Sequence, residues 1–258
     1  MPRILITNDD GIHYQGIRAL EEALRPLGDI YVVAPSHEMS AASRAITLGR
    51  PLRIDRIDAH HFAVDGTPVD CVTLAINVIL DSLPDLIVSG INQGANLGDD
   101  VLYSGTVAGA AEAIVYGLPG VAFSLQGRGE LDFTPAAAFA TILVRKVLEQ
   151  GLPERTMLNV NIPRKAIRGV RVTRQGNKVI QTRITEGLDP RGRKYYWIGE
   201  DKSTWNPEAG TDYQAILDGY ISITPLQNDL TSANALSLIK SWDSLPYGDP
   251  TTERQATD

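Results

Sequence analysis

Short, unbroken apolar runs alternate along the first half of the chain with stretches whose apolar residues recur every three or four positions. Ile4-Leu5-Ile6, within Arg3 to Thr7, reads as a strand covered on both faces. Ile17, Leu20, Leu24 and Leu27 then follow at helical spacing, and Gly28 closes that helix. Ile30 to Ala34 is a second strand, stopped by Pro35, and Phe62-Ala63-Val64 is a short one that ends in the turn Asp65-Gly66-Thr67-Pro68. Val69, Val72, Ile76 and Ile79 mark another helix, and Leu86-Ile87-Val88 another buried strand. Val107 to Val115 is an Ala-rich buried helix, Val121-Ala122-Phe123 a strand, and Pro135 to Glu149 a long helix. This βαβ rhythm predicts an α/β fold with a mainly parallel sheet and helices on both faces, a three-layer core.

After about residue 156 the rhythm changes. Leu158 to Ile162 and Val170 to Val172 read as strands with no helix between them. Two polar, alternating segments between Lys178 and Gly199 flank Asp189-Pro190-Arg191-Gly192, which is turn chemistry, so a long β-hairpin is expected there. It would project from the core or pack on a second subunit. Tyr220 to Thr224 is a later strand, Ala235 to Trp242 a last helix, and the polar tail from Pro246 a frayed end. The expected division is an α/β core over residues 1–165 and a segment over 166–258 that does not fold by itself.

Composition narrows the function classes. The chain has 258 residues and a net charge of −7, which argues against binding long nucleic acids, since that requires many Lys and Arg contacts to phosphate. A small phosphorylated substrate stays compatible, because a metal supplies positive charge locally. Cys71 is the single cysteine, so no intrachain disulfide forms, as suits a reducing cytosol. Acidic residues arrive too early for a signal peptide, and no apolar run approaches the ~20 residues that span a bilayer. A cytoplasmic protein without membrane contact is expected.

The candidate chemistry starts at Thr7-Asn8-Asp9-Asp10-Gly11, where the first strand should end. In an open α/β sheet this position faces the ligand crevice. Adjacent carboxylates raise each other's pKa unless a cation lies between them, and a hard divalent ion such as Mg²⁺ or Mn²⁺ takes oxygen ligands. One aspartate could simply cap the following helix, but two together with Asn8 exceed what capping needs. Ser89 to Gly98 follows a second buried strand; Asn92 and Asn96 there offer amide oxygens to a metal and NH₂ donors to phosphate, though an ordinary Gly/Asn loop explains the segment equally well. Tyr103-Ser104-Gly105-Thr106 precedes the Ala-rich helix, whose first amides attract anions, and Ser104 or Thr106 can also act as its cap. Asp99-Asp100 lies mid-loop and reads as solvated or structural. The loop Ser36 to Ser43, with Ser40, is on its residues alone an ordinary serine-rich loop. His13 reads as an exposed loop residue rather than a proton donor, and the other histidines lack zinc spacing.

Together these segments resemble the SurE family of survival proteins, metal-dependent 5′/3′-nucleotidases. The resemblance runs through Ile6 to Gly11, Val33-Ala34-Pro35 with Ser40 and Ser43, Asp65 to Val72, Pro84 to Gly98, and Tyr103 to Glu112. It continues through Asn159 to Pro163, Asp189 to Gly192, Tyr196 to Gly199 and Gly219 to Thr231. Ala41 departs from it, standing where a glycine is frequent, and so do Ala108-Gly109 and Ala233. The resemblance implies a Rossmann-like core and a C-terminal arm exchanged within a homodimer or homotetramer. It implies one divalent cation per subunit, held by Asp9, Asp10, Ser40 and Asn92. It places Asn8, Asn96, Ser104, Gly105 and Thr106 around the phosphate of a nucleoside monophosphate. Hydrolysis by metal-activated water is the expected chemistry, with Asp9 and Asp10 catalytic. A phospho-aspartyl route is the mechanistic alternative. A Mg²⁺-binding receiver-like switch fits less well, because no acceptor Asp or Lys follows the third and fifth strands. A dinucleotide-dependent oxidoreductase lacks its Gly-rich fingerprint.

Overall fold

Parallel pairing of short apolar strands builds the centre of the molecule. The computed structural model describes residues 1–205 and 208–245, with backbone alone for 178–182 and 200–205. In chain order, β1 (Arg3–Thr7) leads to α1 (Gln15–Leu24), and a 3₁₀ turn (Arg25–Leu27) carries the chain into β2 (Asp29–Pro35). Gly28 is needed for contact: a Cβ there would lie 2.2 Å from the Pro2 carbonyl oxygen. A long loop, β3 (Ile54–Arg56) and β4 (His61–Val64) follow, then α2 (Pro68–Leu74), whose Thr67–Asp70 capping box fixes its start. The expected helix through Ile79 changes after Leu74 into a π-helical turn, Ala75–Ile79. Next come β5 (Leu86–Gln93), α3 (Gly105–Val115), β6 (Gly120–Leu125), α4 (Thr134–Gln150) and β7 (Thr156–Ile162).

The rest of the main body comprises β8 (Val170–Val172), the hairpin of β9 (Lys178–Leu188) and β10 (Lys194–Trp205), α5 (Asp212–Leu217) and β11 (Ile221–Gln227). The nine-stranded sheet has the order β3-β4-β2-β1-β5-β6-β7-β11-β8. From β4 through β7 every neighbouring pair is parallel; β3 on β4 and β11 on β7 are antiparallel. Alternate side chains serve opposite layers. Ile4 and Ile6 pack with Ile17, Leu20, Ala140 and Val144 of α1 and α4, while Leu5, Val33 and Ile87 pack with Cys71 and Val72 of α2 and Ala113 of α3. The fold is therefore the expected α/β three-layer core with its hairpin, and β9 and β10 form a separate antiparallel ribbon.

The boundary expected at residue 165 does not fall there. β8 and β11 join the main sheet, β11 covering the edge that β7 would otherwise expose, and the first compact unit runs from Met1 to Asn228. The second unit, Asp229–Asp258, contains α6 (Ala233–Ile239), capped by Ser232, and a 3₁₀ turn, Lys240–Ser244. The frayed tail expected from Pro246 lies outside the described residues. Among the described residues no helix is long and apolar enough to cross a membrane.

Candidate metal and phosphate site

Strand order reverses at β1, which connects outward to β2 on one side while its other neighbour is β5. Crevices open at such reversals, beyond the carboxyl ends of the strands. Here the crevice is a cleft of about 940 Å³, room enough for a nucleotide-sized ligand. Asp9, Asp10, Ser40, Asn92, Asn96 and Ser104 all line it.

The loop after β1 brings both carboxylates to the cleft by a turn. Asn8 is fully buried; its Nδ2 donates to the Gly11 carbonyl at 3.0 Å and its Oδ1 accepts from the Gly11 N–H at 3.2 Å. Both ends of that amide thus shape the turn, and Asn8 does not line the cleft, contrary to its expected place among the phosphate contacts. Gly11 sits at φ 102°, a conformation that favours glycine. The acidic pair does not cap the helix that follows: α1 starts after Tyr14 with no side-chain cap.

Asp9 instead meets the start of α3 across the cleft. The Thr106 hydroxyl donates to its Oδ1 at 2.5 Å, and the Gly105 and Thr106 amides add backbone hydrogen bonds. A Cβ on Gly105 would stand 2.7 Å from the Asp9 Cβ, so this approach requires glycine. Ser104 caps α3 by accepting from the Val107 N–H at 3.1 Å. Burial pushes the Asp9 carboxyl above its ordinary range, against these hydrogen bonds. Burial, then the charge of Asp9, pushes Asp10 up to about 7; Glu38 adds to this and a Gln93 backbone hydrogen bond opposes it. The Asp10 Oδ2 is buried without a hydrogen-bond partner. Neighbouring carboxylates with an orphaned oxygen are an arrangement that a bound cation would relieve.

The other candidate ligands arrive on separate loops. The Ser40 hydroxyl donates to Glu38 Oε1 at 2.7 Å, and the Met39 N–H donates to the Asp9 carbonyl at 2.7 Å, tying this loop to the acidic pair. Ala41 adopts φ 58°, which explains why a glycine suits that place. Asn92 donates its Nδ2 to the Gly94 carbonyl at 2.8 Å, leaving its oxygen end for a ligand. Among the described residues no group of three or more His, Cys, Asp or Glu side chains is arranged for a metal. The candidate set is instead two carboxylates with a neutral hydroxyl and an amide oxygen, a hard donor set that fits Mg²⁺ or Mn²⁺.

Asn96 and Ser104 are buried on the cleft wall, whereas Gly105 and the fully buried Thr106 do not line it and stand at the start of α3 against Asp9. His13 is exposed and lines a different cleft, next to His61. The sequence reading missed Tyr14, Glu38, Gln93 and Arg128 on the cleft wall, and Ile198 and Gly199 of β10 reach it too. Asp100, read as mid-loop and solvated or structural, also lines the cleft. No local spacing signals these positions; only the turn of the chain brings them in. Among the described residues, Asp9, Asp10, Glu38 and Asp100 stand against the guanidinium of Arg128 alone, so that wall is acidic and a phosphate enters favourably only with a cation.

Known proteins share this architecture. The profile of the family described as Survival protein SurE matches residues 4–182. A protein of Syntrophotalea carbinolica named 5′-nucleotidase SurE is 49% identical over 246 residues, covering 95% of this chain and 98% of that protein. Another of that name, from Geobacter metallireducens, is 50% identical over 246 residues, covering 93% and 97%. The crystal structure of the Sure protein from Aquifex aeolicus aligns with a TM-score of 0.84 at 46% identity, over 94% of this chain and 100% of that one. Sequence and fold agree over nearly the whole length, and the chain belongs to the Survival protein SurE family.

Proposed function

We propose that this chain is a divalent-metal-dependent 5′-nucleotidase that hydrolyses nucleoside 5′-monophosphates, and 3′-monophosphates as a second class, to nucleoside and phosphate. The observation that carries the reading is one acidic cleft lined by Asp9, which is hydrogen-bonded to the first turn of α3, and by Asp10, whose Oδ2 is unpartnered. The names of the relatives support the same activity.

Asp9, Asp10, Ser40 and Asn92 would hold one ion per subunit, Mg²⁺ or Mn²⁺. Bound there, such an ion supplies Lewis-acid polarisation of a phosphoryl oxygen and a water of lowered pKa. Thr106 and Gly105 orient the Asp9 carboxylate, and the positive end of α3 favours the phosphate beside it. Asn96 and Ser104 contact the equatorial phosphoryl oxygens, where phosphoryl transfer accumulates charge. The hydrogen bonds to Asp9 stabilise its charge and restrain it, which favours attack by water over a phospho-aspartyl route. We also read Asp229–Asp258, a unit of its own, as the arm exchanged in a cytoplasmic homodimer or homotetramer.

A panel of nucleoside monophosphates assayed with Mg²⁺, Mn²⁺ and EDTA tests the activity. Asp9→Ala should lower turnover more than about a hundredfold, as loss of a metal ligand does. Hydrolysis by that variant at the wild-type rate, or full activity in EDTA, would overturn the assignment.

A further inference from the structure

Asn96 is held more tightly than its place in a loop requires. Asn161 grips its peptide from both sides: the Asn96 N–H donates to Asn161 Oδ1 at 2.7 Å, and Asn161 Nδ2 donates to the Asn96 carbonyl at 3.0 Å. The amide of Asn161 thus completes for Asn96 the pairing that a neighbouring strand would give. Asn159, two residues earlier on the same face of β7, donates to the same carbonyl at 2.9 Å. The side chain is fixed separately, because Asn96 Nδ2 donates to the Ser124 hydroxyl at 2.8 Å. Asn159, Asn161 and Ser124 are all fully buried, and Ser124 pairs with Asn161 across β6 and β7. Three buried polar side chains on two adjacent strands therefore converge on one residue at the cleft wall. Buried polar groups are costly unless satisfied, and these three side chains share four hydrogen bonds with Asn96, while the Asn159 Oδ1 is left without a partner.

We propose that Asn161, with Asn159 and Ser124, is a positioning residue that presets Asn96 to receive the substrate phosphate. The inference rests on the reading of Asn96 as a phosphate contact. It assigns to the far strands of the sheet a part in the reaction that none of their side chains performs directly.

The test is a double-variant cycle on the full chain loaded with Mn²⁺, with inorganic phosphate as the probe and calorimetry as the readout. Asn161→Asp keeps the acceptor for the Asn96 N–H but replaces the donor to its carbonyl by a second oxygen. It should weaken phosphate binding roughly ten- to a hundredfold, the range for a hydrogen bond to a charged group, and leave Mn²⁺ affinity unchanged. Asn96→Ala should weaken it comparably, and the double variant should be no worse than Asn96→Ala alone, since Asn161 acts only through Asn96. Additive losses, or a loss of Mn²⁺ affinity in Asn161→Asp, would mark a merely structural role and overturn the proposal. So would the absence of phosphate binding by the wild-type chain. Ser124→Ala gives a second handle if Asn161→Asp fails to fold: it should weaken phosphate binding in the same direction, and wild-type affinity in it would overturn the proposal. Turnover of nucleoside monophosphates by the wild type is scored separately. No turnover with the cycle intact defeats the nucleotidase reading alone, whereas turnover with an additive cycle defeats only the clamp.

Discussion

Gly105 shows how one missing side chain sets the chemistry of this cleft. An alanine Cβ at that position would meet the Asp9 Cβ at 2.7 Å and its Oδ2 at 2.9 Å, so the carboxylate would have to leave the first turn of α3. We expect Gly105→Ala to keep the fold while weakening Mn²⁺ binding and lowering kcat about a hundredfold, the scale of a misplacement near 1 Å. Calorimetry for the metal and far-UV circular dichroism for the fold separate the two effects; undiminished metal affinity would contradict the prediction. The acidic pair and the Ser104 cap were legible in the sequence because each sits at the junction of a strand or helix with its loop. Gly105 stands out beside them in the sequence, but the reason for it does not, because the approach of Asp9 joins residues 96 positions apart. Asn8 misled for the opposite reason: a short polar side chain beside two ligands serves a turn as readily as a phosphate.

Elements are joined at the other end of the sheet by a histidine between two acids. His61, opening β4, lies 3.1 Å through Nε2 from Glu21 of α1 and 2.8 Å through Nδ1 from Asp58, in the turn from β3. Burial lowers the His61 pKa, but the hydrogen bonds and charges of Asp58 and Glu21 outweigh it and raise the group above its ordinary value. A raised folded-state pKa gives stability that is fully present below the unfolded value, ~6.5, and is lost as pH climbs through the folded one. Glu21 is lowered, with hydrogen bonds from Arg25 and His61 overcoming burial, so its share is present above its unfolded pKa and lost in acid. Urea midpoints of the wild type and His61→Gln should therefore differ most at mildly acidic pH and converge as pH rises above ~6.5. A gap that widens with pH would refute the clamp. The apolar-run strands and long periodic helices were legible in the sequence. β3 and α5 were not: Ile54-Asp55-Arg56 holds one apolar residue in three, and Asp212–Leu217 is too short for a helical stripe to emerge.

On the scale of the whole molecule, the order of the strands decides both where the cleft opens and where the chain can be divided. The break in βαβ rhythm after residue 156 suggested an end to the core near 165, but rhythm records connection, not pairing. β11 returns from more than fifty residues away to run antiparallel along β7, from Ser222 opposite Asn161 to Gln227 opposite Thr156. A chain cut after residue 165 would leave the N–H and C=O groups of β7 unpaired along one full side, next to apolar side chains that have lost their cover. Such a strand recruits the same strand from another molecule. The shortened protein should sediment as aggregate on expression, whereas one ending after Asn228 should stay in solution; a soluble, monomeric 1–165 fragment would show otherwise. Any minimal version of this enzyme must therefore keep residues up to Gln227, even though none of the proposed metal ligands lies beyond Asn92.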